Sequence, residues 1–418
     1  MILRIHIKVR RFFLAAFCSL FMVPLVSSQN IYDYIDLSEN HIRYYGNAEL
    51  KFHSLFNLFY KQVNNQREKI NIVHIGDSHI QADVFTGQVR KKIKGFLGEE
   101  ISPRGFIFPF TIAKSNNPSD FRIIYSGNWD ACYATVNRSD CNYGLSGVSI
   151  STHDSLTRIK IKLNEMLGLE HRFDRLKIFY NLDRSDYEVY PIHENFYYSS
   201  RRDAFLNYVV FDLSRPVDSV DLIFMKGRNE SEVPLEIYGF SLESQRHGVQ
   251  YNAVGYNGAT IETFLLGRQL IPNLIALNPD LIVISLGTNS GLYNTFRAKS
   301  FGRDYRQLLE ILRDLFPDIP IMATTPNDNH YDDKINKNMP RIREVILNLA
   351  GDYDLAVWDF YKIMGGQGSM LNWLKTGYAK ADKIHFNSRG YLMQGDLFYS
   401  ALLNAYMDYL KTNSPEKN

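Results

Sequence analysis

The stretch NIVHIGDSHIQAD at residues 71–83 carries a strand-like apolar segment into Gly-Asp-Ser-His and then opens a helical pattern. An apolar strand that turns sharply into a helix is the repeating unit of parallel sheets. Four more short apolar runs follow, each bounded by polar or turn residues: VQYNAVG (249–255), LIVISLG (281–287), IPIMATT (319–325) and LAVWDF (355–360). Helical periodicity fills the intervals near 261–277, 303–315 and 338–350, and a last helix is expected from about Ser388 to Leu410. Runs with little polar alternation, separated by helices, point to a parallel sheet covered on both faces. An amphipathic helix over 49–63 packs ahead of the first strand.

Residues 107–245 break that rhythm. TRIKIKL, LKIFYNL, NYVVFDL, VDLIFMK and LEIYGFSLE alternate apolar and polar positions between turns. The pattern predicts an antiparallel β-sandwich or jelly roll inserted between the first and second strands of the α/β part. An insertion of this kind is tolerated when its two ends leave and re-enter at neighbouring points.

The N-terminus reads as a secretory signal peptide over residues 1–28. Lys8, Arg10 and Arg11 precede the apolar run FFLAAFCSLFMVPLV, and small residues follow near Ser28. The run is shorter than the ~20 apolar residues that span a bilayer, and Pro24 interrupts it, so no stable membrane insertion is expected after cleavage. The expected location is therefore periplasmic or secreted. The organisation expected is 1–28 signal peptide, 29–106 and 246–412 the two parts of an α/β domain, 107–245 the β-rich module, and 413–418 a tail. With 47 Lys and Arg against 45 Asp and Glu, the net charge of +2 gives no electrostatic footprint for nucleic acid. Beyond Cys18 in the leader, the two cysteines Cys132 and Cys141 are compatible with a disulfide in an exported protein or with two buried thiols.

Four features sit just after strand ends. Ser78 lies in GDSH, Gly258 in VGYNGAT, Asn289 in SLGTNSG, and Asp382 with His385 in ADKIHFNSRGY. The carboxyl ends of parallel strands lie along one edge, where ligands bind. Each residue type there suits a step of acyl transfer. A serine hydroxyl needs a base, which His385 can supply, and Asp382 can orient its ring and stabilise the imidazolium. The Ser78 and Gly258 amides and the Asn289 side chain supply oxyanion donors. Taken singly each has an ordinary role. A serine before a helix is an N-cap, Gly258 a turn residue, Asn289 an Asx-turn former and His74 a core histidine. The joint occurrence in order, each at a strand end, favours the catalytic set. Asp77 and His79 fall to supporting roles.

These blocks resemble the SGNH/GDSL hydrolase superfamily: GDSH with Ser78, GYNGAT with Gly258, GTN with Asn289, and DKIH with Asp382 and His385. The resemblance covers about 70–105 and 246–412. It implies a flavodoxin-like three-layer sandwich with a five-stranded parallel sheet in the order 2-1-3-4-5, no metal or cofactor, and ester hydrolysis through an acyl-serine. GDSHIQAD, RGFIFPF, LEIYGFSLES and GYNGA are further similar to the branch of periplasmic peptidoglycan O-acetylesterases with an inserted carbohydrate-binding-like module. The function expected is an exported serine esterase that removes acetyl or other small acyl groups from a carbohydrate polymer. Acyl transfer to a sugar hydroxyl through the same serine, or a non-catalytic carbohydrate-binding protein, are the competing readings. A metal-dependent phosphoesterase built on Asp77, His79 and Asp382/His385 lacks the further ligand blocks such sites need.

Overall fold

A computed structural model of the chain describes residues 30–413, apart from 65, 67, 99–102, 137–139, 169, 193–195, 197, 229–231 and 293. The expected signal peptide (1–28) and all but the first residue of the expected tail (413–418) lie outside the described residues.

Six strands form the central sheet: β1 (Ile42–Tyr44), β2 (Lys69–Gly76), β3 (Gly248–Gly255), β4 (Leu281–Ser285), β5 (Ile321–Thr324) and β6 (Leu355–Trp358). They lie in the order β1-β6-β5-β4-β2-β3. Strands β2 to β6 pair in parallel, and β1 is antiparallel to β6, with Ile42 opposite Trp358. The sheet therefore has one strand more than the five expected. β1 is only three residues long with one buried side chain, too short to show a period, and it closes the β6 edge that would otherwise expose unpaired backbone groups.

Alternation along β4 shows how the layers form. Leu281 and Val283 join a buried cluster with side chains of the helices Ala48–Val63, Val84–Leu97 and Ser388–Asn413. Ile282 and Ile284 join another with the helices Ala298–Leu315 and Asn338–Ala350. Each such aliphatic side chain contributes about 1.5–3 kcal/mol on burial. The last helix runs three residues beyond the expected Leu410, to Asn413.

The segment between β2 and β3 builds two antiparallel sheets. One contains Asp130–Tyr133, Val148–Thr152, Phe173–Tyr180, Tyr198–Asp203, Tyr208–Val217 and Leu235–Glu243, with Gly105–Ile107 paired to the last. The other contains Phe121–Tyr125, Leu156–Leu163, Tyr187–Ile192 and Ser219–Lys226. In Leu156–Leu163 the residues Thr157, Ile159, Ile161 and Leu163 are buried, while Arg158 and Lys162 face solvent. Inward residues of both sheets belong to one buried cluster, which also takes in one face of the α/β sheet. Leu235–Glu243 departs from alternation because it is buried nearly throughout. Its partner strand at the entry, Gly105–Ile107, is tied to β3 by the Phe106 N–H donating to Asn252 Oδ1 at 2.9 Å. Entry and exit of the insertion thus pair with each other beside β3, as a tolerated insertion requires. Cys132 and Cys141 form a disulfide with Cα atoms 5.9 Å apart.

Candidate active site

β2 delivers Ser78 by a tight turn. Asp77, not Ser78, is the N-cap: its carboxylate accepts the His79 N–H at 3.0 Å. Capping by the neighbour leaves the Ser78 hydroxyl free. The helix it opens, Ser78–Gln81, is a single turn, so the dipole assistance expected from a longer helix is small there. The chain breaks at Asp83, φ +52°, before continuing as Val84–Leu97.

The base comes from the loop between the helices Ser369–Lys375 and Ser388–Asn413, not from directly after β6 as expected, because the helices Phe360–Ile363 and Ser369–Lys375 intervene. Ser78 Oγ lies 2.9 Å from His385 Nε2. His385 Nδ1 lies 2.9 Å from Asp382 Oδ2. Asp382 Oδ1 accepts the backbone N–H groups of Ile384 and His385, each at 2.9 Å. The network assigns the proton to Nδ1, donated to Asp382, which leaves Nε2 to accept from the serine. Partial burial opposes ionisation of Asp382, but the two amide donors and the imidazole outweigh it and hold its carboxyl below the usual range.

The flanking residues have separate jobs. His79 stacks on His385 with ring centroids 5.1 Å apart, and its Nδ1 meets the Tyr391 hydroxyl at 3.0 Å. Burial, with His385 beside it, pushes the His79 imidazole down to about 3, so it stays neutral. Burial likewise pushes the Asp77 carboxyl up to about 6, against the His79 amide and His385. Asp77 thus serves as the cap and His79 as a neutral ring packed beneath the base. Among the described residues no group of three or more His, Cys, Asp or Glu is placed to hold a metal. His74 is a satisfied core residue, bonded to Tyr251 Oη at 2.8 Å and Ser285 Oγ at 2.6 Å.

Gly258 and Asn289 line the same cleft as Ser78, Asp382 and His385, an open space of about 590 Å³. Gly258 has φ +80°, where a side chain is strained, and a Cβ there would lie 3.4 Å from Thr135 of the inserted module. Asn289 Nδ2 donates to the Ala259 carbonyl at 2.9 Å, which ties the second and third loops together. The structure thus brings all five sequence-predicted residues to one place. It also adds wall residues that sequence reading missed: Gln81, Tyr391, Lys380 and Asn116–Ser119, the last from the inserted module. The only sequence signal for Gln81 was a polar residue one helical turn after Ser78. Asn116–Ser119 carried none, because the insertion's loops are not tied to the sheet edge by any pattern.

Residues 238–393 match the model of the GDSL-like Lipase/Acylhydrolase family. The matched segment holds Gly258, Asn289, Asp382 and His385, while Ser78 lies ahead of it across the insertion. No curated protein matches the chain. Among solved structures, a peptidoglycan O-acetylesterase superposes with a TM-score of 0.70 at 20% identity, covering 88% of this chain and 99% of that one. That likeness establishes a shared fold that takes in the insertion as well as the α/β part. A GDSL-like lipase from Bacteroides thetaiotaomicron (TM-score 0.30, 21% identity) covers 38% of this chain and 76% of its own. An acetylxylan esterase from Geobacillus stearothermophilus (TM-score 0.31, 17% identity) covers 38% and 73%.

Proposed function

We propose, from an SGNH hydrolase of the GDSL-like acylhydrolase type as the premise, that this chain is an exported serine esterase that removes acetyl groups from a carbohydrate polymer. The observation that carries the proposal is the Ser78–His385–Asp382 chain of 2.9 Å contacts opening onto a cleft with Gly258 and Asn289. In the reading we propose, Nε2 of His385 takes the Ser78 proton as Oγ attacks the ester carbonyl, and Asp382 stabilises the imidazolium. The oxyanion rests on the Ser78 and Gly258 amides and on the Asn289 side chain. His385 returns the proton to the departing sugar hydroxyl, leaving an acetyl-serine. Water then attacks, His385 takes its proton and passes it to Ser78 Oγ as the acyl bond to the serine breaks, and acetic acid leaves as acetate with its proton lost to solvent.

A small acyl group and a hydroxyl-rich leaving group suit the walls. Apart from Ala82, Pro118 and Tyr391, the described residues that line the cleft are polar or charged, with Gly258, which supports a small acyl group over a long chain. The N-terminal charged and apolar segment supports export. The resemblance of GDSHIQAD and GYNGA to the peptidoglycan branch makes O-acetylated peptidoglycan the first substrate to test. Acetate release by the mature wild type and by Ser78→Ala is measured on O-acetylated peptidoglycan and on acetylated xylan side by side. Release from at least one polymer that vanishes in Ser78→Ala is expected. Equal release by both proteins, or none from either polymer, overturns the proposal.

A further inference from the structure

Two polar residues of GDSHIQAD, Gln81 and Asp83, take no part in the acyl-transfer steps and, unlike Asp77 and His79, make their bonds toward the inserted module or its anchors. Gln81 is buried at 6% exposure yet lines the cleft. Its Oε1 accepts the Asn257 N–H at 2.6 Å, one residue before Gly258. Its Nε2 donates to the Asn116 carbonyl of the inserted module at 2.9 Å. One side chain therefore joins the loop bearing an oxyanion donor to a loop of another module. A neutral amide presents a donor and an acceptor from one planar group, as these two bonds require.

The same helical segment anchors the module loop a second time. Asp83 pairs with Arg90 at 2.9 Å and with Arg104 at 3.0 Å, and Arg104 pairs in turn with Asp120, directly after Ser119. All four side chains are almost completely buried, and the two positive charges balance the two negative ones. Within the loop, Asn117 bonds Thr111 through both ends of its amide, at 3.1 and 2.6 Å. The segment from Thr111 to Asp120 is thus closed on itself, held at Asn116 by Gln81 and at Asp120 by Arg104, which Asp83 pairs from behind.

We infer that Gln81 is a positioning residue, with Asp83 as its rear anchor, that fixes Asn116–Ser119 as a wall of the reaction cleft and holds the Asn257–Gly258 backbone in place. The inserted module is then part of the reaction site rather than a tethered accessory. This rests on the esterase reading above for its catalytic consequence, but the clamp itself is a structural claim.

Gln81→Leu removes both bonds at similar volume, whereas Gln81→Glu keeps the acceptor toward Asn257 and loses the donor toward Asn116. For Gln81→Leu, kcat on 4-nitrophenyl acetate falls on the order of 30-fold, as for a misplaced oxyanion donor, while KM moves much less. Gln81→Glu recovers about tenfold of that loss on the small ester. Its kcat/KM on O-acetylated polymer stays as low as that of Gln81→Leu, because a carboxylate facing the Asn116 carbonyl pushes the wall away. Hydrogen exchange at the Asn257 amide accelerates in Gln81→Leu and stays protected in Gln81→Glu. Wild-type kcat or wild-type Asn257 protection in Gln81→Leu overturns the clamp, as does a Gln81→Glu enzyme no faster than Gln81→Leu on the small ester. Wild-type polymer activity in Gln81→Glu overturns the wall, and carries the test alone should Gln81→Leu not fold. If the wild type turns over neither ester, the esterase reading fails while the exchange measurement still decides the clamp.

Discussion

Replacing Asp382 in two ways gives the sharpest test of how His385 is oriented. In Asp382→Ala the charge-assisted bond to Nδ1 is lost, ordinarily about 1.5–3 kcal/mol. The Asp382 side chain is 43% exposed, so solvent screens the pair and water replaces it, and the lower part of that range applies. A fall in kcat of roughly 10–30-fold is expected. Asp382→Asn is predicted to be worse despite being closer in shape. The backbone N–H groups of Ile384 and His385, both at 2.9 Å, pin one oxygen of residue 382. An asparagine satisfies both only by turning its amide nitrogen toward Nδ1. A donor there forces the ring proton onto Nε2, so the atom facing Ser78 becomes a donor and no longer a base. Turning the amide over instead strands the two backbone donors, at about 1 kcal/mol each. Either route adds ~2–3 kcal/mol, so Asp382→Asn should lie a further 30–150-fold below Asp382→Ala. The assay is steady-state 4-nitrophenyl acetate hydrolysis at pH 7.5, with Ser78→Ala as the floor. An Asp382→Asn enzyme as fast as Asp382→Ala would refute the tautomer argument. A wild-type rate in Asp382→Ala would remove Asp382 from the relay.

Stability should fall in acid. His74 and His79 are held at about 3 by burial, so below pH ~6.5 the unfolded chain takes up protons that the native state refuses, at up to ~1.4 kcal/mol per pH unit each. Asp77, pushed up to about 6 by burial, works in the opposite sense between pH ~4 and 6 and offsets roughly one histidine. Urea midpoints at pH 6 and pH 4.5 should drop accordingly, and His79→Phe should flatten the slope; an unchanged slope contradicts the assignment. Reducing the Cys132–Cys141 bridge, or replacing both residues by serine, frees a loop with a sequence separation of 9 and should cost about 3 kcal/mol by loop-closure entropy. A transition temperature indifferent to reductant would show that the bridge carries none of it. Asn289→Ala should lower kcat on the small ester by about 10–10³-fold with KM little changed, the lower figure reflecting the hold Ala259 already has on the amide. A change confined to KM would place Asn289 in ground-state binding instead.

The strands of the parallel sheet announced themselves because each is an apolar run too short for a helix and is followed by one. Gly258 and Asn289 were legible because each follows such a run within a recognisable block, whereas Asp382 and His385 were legible from their block alone, since two short helices separate them from the end of β6. β1 was not legible, since three residues cannot display a period. Leu235–Glu243 reads as a one-faced strand, and only the packing of the module against the α/β part buries its other face. Ser78 as a cap was the natural local reading. Only the geometry shows Asp77 taking the amide, because capping is decided by side-chain rotamers that a sequence does not encode.

By itself, then, the sequence determined the strand-and-helix alternation, the place of the insertion and the order of nucleophile, donors and base along the chain. These depend on periodicity and local turn chemistry, which act over a few residues. The tertiary structure decided what depends on contacts between distant segments. It brought Ser78 to 2.9 Å from a histidine 307 residues away and left His79 neutral beneath that ring. It also made Asn116–Ser119 a wall of the cleft through Gln81. Distances and burial of this kind arise only when the whole chain has closed on itself, and they set both the protonation and the shape of the site.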